Sequence, residues 1–253
     1  MDFGTQIFDR PGYSTAIGLE PDELATFQQL VGAQWIARIA EVAPEHRSTF
    51  EADGIQGYHR HAHLVDHRAL WPKQHRVLPT DAVSRVLDMG VMVRLRDALG
   101  PFRIAEQVWD NRVQPDTHEV YWRLVRPDQT DDVGPAHRDS WFHENVSDGH
   151  GQFGPDEITV KLWIALHTES GRNGLLVVPD SHRADITHAS VAKDGVLKPQ
   201  IGQLPADMKP ELVPATPGTI VAFGENLIHQ GAVNRGQTTR VSAEITLVLP
   251  RRH

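Results

Sequence analysis

The hydrophobic period of this chain changes at Gly100-Pro101, and that change limits its fold more than any other feature. Before it, apolar residues recur at three- and four-residue steps. Leu24, Phe27, Val31, Trp35 and Ile39 make one helical stripe, opened by Pro21 and running through Ala43; Val83, Val86, Leu87, Val91, Leu95 and Leu99 make a second, with Thr80 as its cap. After it, residues 102–109, 119–125, 158–166, 175–178, 218–223 and 241–249 alternate or stay apolar for strand lengths. Turn signals at Pro115-Asp116, Pro127-Asp128, 171–174 and 234–236 separate them. Helices followed by turn-punctuated strands predict a mainly β fold with flanking helices, a double-stranded β-helix of the jelly-roll, cupin-like kind. We expect one domain over 1–253, with 1–101 as a helical part and lid and 102–253 as the jelly-roll core. Residues 1–18 read as an extended lead-in. Residues 54–79, 144–156 and 181–210 have no clean period and read as loops over an active site, the first of them as the lid.

Within the strand region stands Gly134-Pro135-Ala136-His137-Arg138-Asp139-Ser140-Trp141. His137 and Asp139 are two apart, so on an extended backbone both side chains leave one face and can grip a single ion. His229, in a short apolar segment after the 218–223 run, is the candidate third ligand. Two imidazoles and a carboxylate on one side of an octahedron leave three positions open, the arrangement suited to non-heme ferrous iron in oxygenases. A 2-oxo acid can fill two of them and dioxygen the third. The alternating histidines of residues 58–63 have no carboxylate in register and make a poor second metal site.

The balance of 25 basic against 33 acidic residues gives a formal charge of −8. No Lys/Arg run is long enough to follow a phosphate backbone, so nucleic acid is an unexpected partner. The absence of cysteine removes thiolate metal sites and Cys nucleophiles. The first twenty residues lack an apolar signal core and no run reaches the ~18 apolar residues of a membrane span. The expectation is a soluble cytoplasmic protein with a small-molecule substrate and no membrane partner.

The order His137-x-Asp139, 162–166, then Asn173-Gly174 through Ser181-His182, Pro217-Gly218, His229, Asn234 and Arg240 resembles the phytanoyl-CoA dioxygenase family of iron- and 2-oxoglutarate-dependent oxygenases, over residues 119–249. An arginine eleven residues past the distal histidine makes the ordered set specific. The family usually has glycine where Asp180 stands, a departure that concerns a turn.

The resemblance implies that His137, Asp139 and His229 hold Fe(II) and do the catalytic work. It implies that Arg240 pairs with the distal carboxylate of 2-oxoglutarate, with Ser242 adding a hydroxyl from the same strand face. Trp163 and Tyr121, on strands expected to face inward, are further candidates to line the co-substrate pocket, although core packing is the commoner fate of such rings. Ser140, Trp141 and His143 follow the ligands closely enough to be substrate-contact candidates. Lys161 and Arg123 are possible partners of a carboxylate, set against the usual solvated role of strand charges. The implied reaction couples oxidative decarboxylation of 2-oxoglutarate to hydroxylation of an unactivated C–H bond, with release of succinate and CO2. Asp139 favours that outcome, since related halogenases replace the carboxylate with a small residue. Desaturation, cyclisation and epimerisation use the same site. A small polar substrate is expected because the stretches carrying His59, Arg60, His61, His63, Asp66 and His67, and His143, Glu144, Asn145 and Asp148, are polar, whereas an acyl tunnel is apolar. A non-redox metal enzyme on a jelly roll, such as an isomerase or hydrolase, and a non-catalytic ligand-binding cupin remain the alternatives.

Overall fold

The computed structural model describes residues 2–109, 112–143, 153–193 and 196–251. Its helices are α1 (Phe3–Phe8), α2 (Pro21–Val42), α3 (Arg47–Asp53), α4 (Tyr58–His61), α5 (His67–Leu70), α6 (Thr80–Leu87), α7 (Gly90–Leu99) and α8 (Ser140–His143). Its strands are β1 (Tyr13–Ser14), β2 (Arg103–Ile104), β3 (Glu106–Trp109), β4 (Arg112–His118), β5 (Val120–Val125), β6 (Glu157–His167), β7 (Leu175–Val177), β8 (His188–Lys193), β9 (Val196–Ile201), β10 (Glu211–Leu212), β11 (Ile220–Gly224), β12 (His229–Gly231) and β13 (Arg240–Pro250).

The large antiparallel sheet runs β1-β11-β6-β13-β2, with β5 also paired to β13. Alternation divides its side chains between two faces. Trp122, Leu124, Leu162, Ile164, Leu166, Val241, Ala243, Ile245 and Leu247 pack outward against the helices in the main core. Trp163, Ala165, Val221 and Phe223 face inward and meet Leu175, Val177, Val213 and Leu227. The small sheet, β10-β7-β12, supplies that opposite wall. Helices thus cover one face of a jelly roll, as the change of period predicts. The register of β13 against β6 slips between Val241 and Ser242, a bulge beside the end that carries Arg240.

The helix α2 begins at Pro21 and is closed by a reciprocal box of Glu20 and Glu23. Glu23 does more than cap its own helix. Its carboxylate also accepts from Val91 N at 2.6 Å and Arg94 Nη2 at 2.6 Å, and so caps α7. This explains a difference from the expected second helix. One stripe becomes α6 and α7, broken at Met89, and Thr80 is the first helical residue rather than the cap. The lead-in also differs, because Asp2 accepts from Thr5 N at 2.9 Å and starts α1, which buries Phe3 and Ile7. Residues 181–210 contain the β8–β9 hairpin.

Residues 54–79 depart most from expectation. Instead of an irregular lid they form short helices whose Tyr58, Leu70, Trp71 and Leu78 are buried in the main core. The Tyr58 ring stacks on Phe50 at 5.6 Å and meets Trp35 edge-on at 6.5 Å. Successive one-turn helices change direction too often to leave a 3.6-residue period, which is why the packing is invisible to periodicity. His67 belongs to this core: its Nδ1 and Tyr58 Oη are 2.9 Å apart. Burial pushes its imidazole down to about 4, against the pull of Asp132 at 3.5 Å. A histidine kept neutral in the fold but titrating near 6.5 when unfolded loses stability as pH falls from 6.5 toward 4, because the unfolded chain takes the proton first. The loss is expected to approach ~3 kcal/mol. Urea unfolding of wild type and His67→Gln at neutral pH and near pH 4 checks this. A larger acid-induced loss is expected in wild type, and equal losses would contradict it.

Candidate metal and co-substrate site

His137 and His229 are brought face to face by a two-way backbone pair, His137 N donating to His229 O at 3.1 Å and His229 N to His137 O at 3.0 Å. This bridge extends the small sheet beyond β12. Each imidazole is held by its Nδ1, 2.8 Å from Pro135 O and 3.0 Å from Leu227 O. A carbonyl only accepts, so both Nδ1 atoms carry the proton and both Nε2 lone pairs are left to face the centre. Asp139 completes the group, its Oδ1 standing 3.7 Å from each Nε2. The three ligand atoms lie within 4.8 Å of one another. Ligands on one face of an octahedral ion stand ~3 Å apart, so only a small closure is needed.

Electrostatics suit a cation. Burial, followed by the neighbouring His137, pushes the His229 imidazole down to about 4, so it is neutral at pH 7, the form that binds metal. Burial opposes the charge on Asp139, but Lys161, His229 and His137 outweigh it and hold the carboxyl well below its usual range. The Nζ of Lys161 lies 3.5 Å from Asp139 Oδ2.

Along β13 the inward face reads Arg240, Ser242, Glu244, alternating with apolar outward residues. Arg240 is 1% exposed. Its Nη1 donates to Gly174 O at 2.6 Å and Ala232 O at 3.3 Å, while its Nε has no partner. Among the described residues no carboxylate pairs with it. Burial, then Arg123, lowers it to about 10, which still leaves it charged at pH 7. The buried Oγ of Ser242 also lacks a partner. A buried guanidinium without a carboxylate partner, near an unpaired hydroxyl, could hold a carboxylate. Asn234 fixes this corner: its Nδ2 donates to Val125 O and Thr238 O, and its Oδ1 accepts from Asn173 Nδ2.

The sequence matches the family model described as phytanoyl-CoA dioxygenase (PhyH) over residues 8–242. The chain belongs to the phytanoyl-CoA dioxygenase family. Membership makes it an enzyme of the iron- and 2-oxoglutarate-dependent type, with Fe(II), 2-oxoglutarate and dioxygen as its cofactors, and the His137, Asp139, His229 group fits such an ion. Solved structures that resemble it include AviO1 from Streptomyces viridochromogenes Tue57, at 16% identity and a TM-score of 0.54 over 98% of this chain and 96% of that one. Apo ThoJ, a non-heme monooxygenase, is 14% identical with a TM-score of 0.51 over 99% and 80%. EvdMO1 is 17% identical with a TM-score of 0.51 over 98% and 50%. At such identities these likenesses speak for the fold. No curated protein matches the sequence.

This phytanoyl-CoA dioxygenase family member gathers the expected residues unevenly. The Trp163 ring lies 5.9 Å from the Arg240 guanidinium, on the same inward face. Tyr121 is buried on the same sheet face, its ring flanked by the guanidinium groups of Arg76 at 4.8 Å and Arg123 at 4.9 Å. Ser140 opens α8 and its Oγ donates to Asn226 Oδ1 at 2.8 Å. Trp141 is 4% exposed, packs with Val178, Ile186 and Ile228, and stacks on His188 at 4.4 Å. The side chain of His143, and residues Glu144, Asn145 and Asp148, lie outside the described residues. Asp180 adopts the left-handed turn with φ 63°, the conformation for which the family's glycine is suited.

Glu244 and Phe142 escaped the sequence reading, which weighs Lys161 and Arg123 as possible carboxylate partners against solvated strand charges. Lys161 and Arg123 stand on the inward face of the sheet, their side chains 18% and 39% exposed, with Arg123 Nε donating to Glu244 Oε1 at 2.6 Å. Burial works against the Arg123 charge, yet Glu244 beside it raises the guanidinium above its usual range. Phe142 meets the His137 ring edge-on at 5.1 Å and is 38% exposed, an apolar surface next to the ligands. The two-residue alternation of β6 and β13 contained the signal for the charges, since Lys161 shares a face with Trp163 and Glu244 with Ser242.

Proposed function

We propose that this enzyme hydroxylates an unactivated C–H bond of a small polar metabolite, consuming dioxygen and 2-oxoglutarate and releasing succinate and CO2. The observation that carries the reading is Arg240, a buried cation that pairs with no carboxylate among the described residues, on the same interior as the His137, Asp139, His229 group. A hydrolase or isomerase needs the metal ligands but has no use for that cation. Iron held by His137, Asp139 and His229 would, with 2-oxoglutarate and dioxygen, supply an oxidant strong enough to remove hydrogen from such a bond. The chain's part is to hold and aim. His137 and His229 offer Nε2 because their Nδ1 protons are fixed on Pro135 and Leu227, and Asp139 offers Oδ1. Arg240 and Ser242 fix the far end of the co-substrate with Trp163 as a wall, and Tyr121 borders the same interior.

Support for a polar substrate comes from other residues than those the sequence reading used. His59 lies within 3.1 Å of Thr239 Oγ1, His61 binds Asp53 at 2.8 Å and His67 binds Tyr58, so these histidines serve the helical layer. The interior beside the ligands instead carries Arg123, Glu244, Lys161 and Tyr121, with Phe142 an exposed large hydrophobic beside His137. An acyl tunnel would be mostly apolar. Turnover of 2-oxoglutarate should be compared with acyl-CoAs and with polar amino acids, sugars and aminocyclitols, and the product of an active candidate examined after reaction in 18O2. Coupled turnover with a polar compound and one labelled oxygen in the product is expected. Turnover only with long-chain acyl-CoA would overturn the substrate class, and an unlabelled desaturated or epimerised product would overturn hydroxylation.

A further inference from the structure

Asp139 offers its two oxygens to different partners. Oδ1 stands 3.7 Å from Nε2 of both His137 and His229, whereas Oδ2 faces Lys161 Nζ at 3.5 Å. In the function proposed above, Lys161 counts only among the polar groups of the interior and has no role toward the metal. Strand alternation sets it on the inward face of β6, opposite Thr246 of β13 and two residues from Trp163. Its side chain is 18% exposed. With a dication on Oδ1, a lysine there is not needed to balance the carboxylate, and it repels the ion. Its position therefore calls for another use.

A carboxylate can bind a metal through one oxygen or two. If both Asp139 oxygens bound, four of six positions would be filled and two left open, one fewer than a chelating 2-oxo acid and dioxygen require together. An ammonium on Oδ2 prevents that by giving the second oxygen a charge-assisted partner. Glu244 supports the arrangement from below: it pairs with Arg123 at 2.6 Å, and its charge offsets part of the repulsion between Lys161 and the ion. We infer that Lys161 is a positioning residue that occupies Oδ2 and keeps Asp139 a one-oxygen ligand, so that three positions stay open. The inference rests on reading His137, Asp139 and His229 as the iron site.

The test uses Mn(II)-loaded full-length protein, first without co-substrate. Waters on the ion are counted from electron spin echo spectra in 2H2O. Three waters are expected in wild type and in Lys161→Arg, and two in Lys161→Met, where Oδ2 is free to close on the ion. Lys161→Ala should also show two, and serves if the methionine packs badly. Mn(II) affinity should be undiminished in the neutral variants, since a cation leaves and a ligand oxygen arrives. Affinity of the Mn(II) protein for 2-oxoglutarate should then fall by about tenfold or more and return in Lys161→Arg. Equal water counts in wild type and the neutral variants would overturn the positioning role, as would a folded neutral variant that loses Mn(II). If His229→Ala binds Mn(II) as wild type does, the iron-site reading itself fails, a result distinct from either.

Discussion

Asp139→Asn is expected to abolish coupled succinate formation while leaving the protein folded. The carboxylate is the only anion of the three-residue group, and Asn is its near isostere, so the change removes charge and donor strength with little change of volume. Partners outside a metal's own ligand shell cost 10–100-fold in affinity when lost, so losing a ligand should cost more than ~100-fold. Asp139→Ala is the harsher variant. It leaves Lys161 with only the more distant charges of Glu244 and Glu119, and breaking a buried pair can cost ~3–5 kcal/mol, so a loss of activity there would mix unfolding with loss of metal. Iron binding and circular dichroism on the Asn variant separate the two. A variant that folds and keeps wild-type turnover without the carboxylate would remove Asp139 from the ligand set.

Arg240→Gln should raise the KM for 2-oxoglutarate roughly thirtyfold or more, a loss of ~2–5 kcal/mol for a buried charge-assisted pair, with a much smaller change for the primary substrate. The structure adds a second expectation. Without co-substrate Arg240 is a buried cation that makes do with two backbone carbonyls and leaves Nε unsatisfied. Removing an uncompensated buried charge is neutral or stabilising, so the variant's Tm in the absence of ligand should equal or exceed that of wild type. The Tm rise that 2-oxoglutarate gives the metal-loaded wild type should largely vanish in the variant. An unchanged KM and an unchanged ligand-induced Tm rise would place the co-substrate carboxylate elsewhere.

These expectations draw on parts of the chain that were legible to different degrees. The jelly roll could be read because β6, β11 and β13 carry long apolar runs between turn residues, and alternation fixed which side of β13 Arg240 and Ser242 share. The ligand group could be read because His137-x-Asp139 is a local pattern and His229 follows at a spacing that a family resemblance supplies. What escaped was set by contacts distant in sequence. The break between α6 and α7 depends on Glu23, 68 residues away. The burial of Tyr58 and Trp71 depends on Trp35 and Trp122, which no local period can show. For Lys161 the sequence leaves open a carboxylate partner and a solvated charge, because a strand sequence gives its two faces but not which one is enclosed; the pairing of β6 between β11 and β13 decides that. The stacking of Trp141 on His188 was hidden in the same way, since the two are 47 residues apart in the chain.

The most direct test of the ferrous site is an anaerobic titration of 2-oxoglutarate into iron-loaded protein, followed in the visible region. A keto acid chelated to Fe(II) gives a weak charge-transfer band, and a site built by His137, Asp139 and His229 requires one ferrous ion per chain and a band that saturates with one 2-oxoglutarate per iron. The band should be absent in His229→Ala. A wild-type protein that binds iron but develops no band, or a His229→Ala variant that develops the full one, would contradict the assignment.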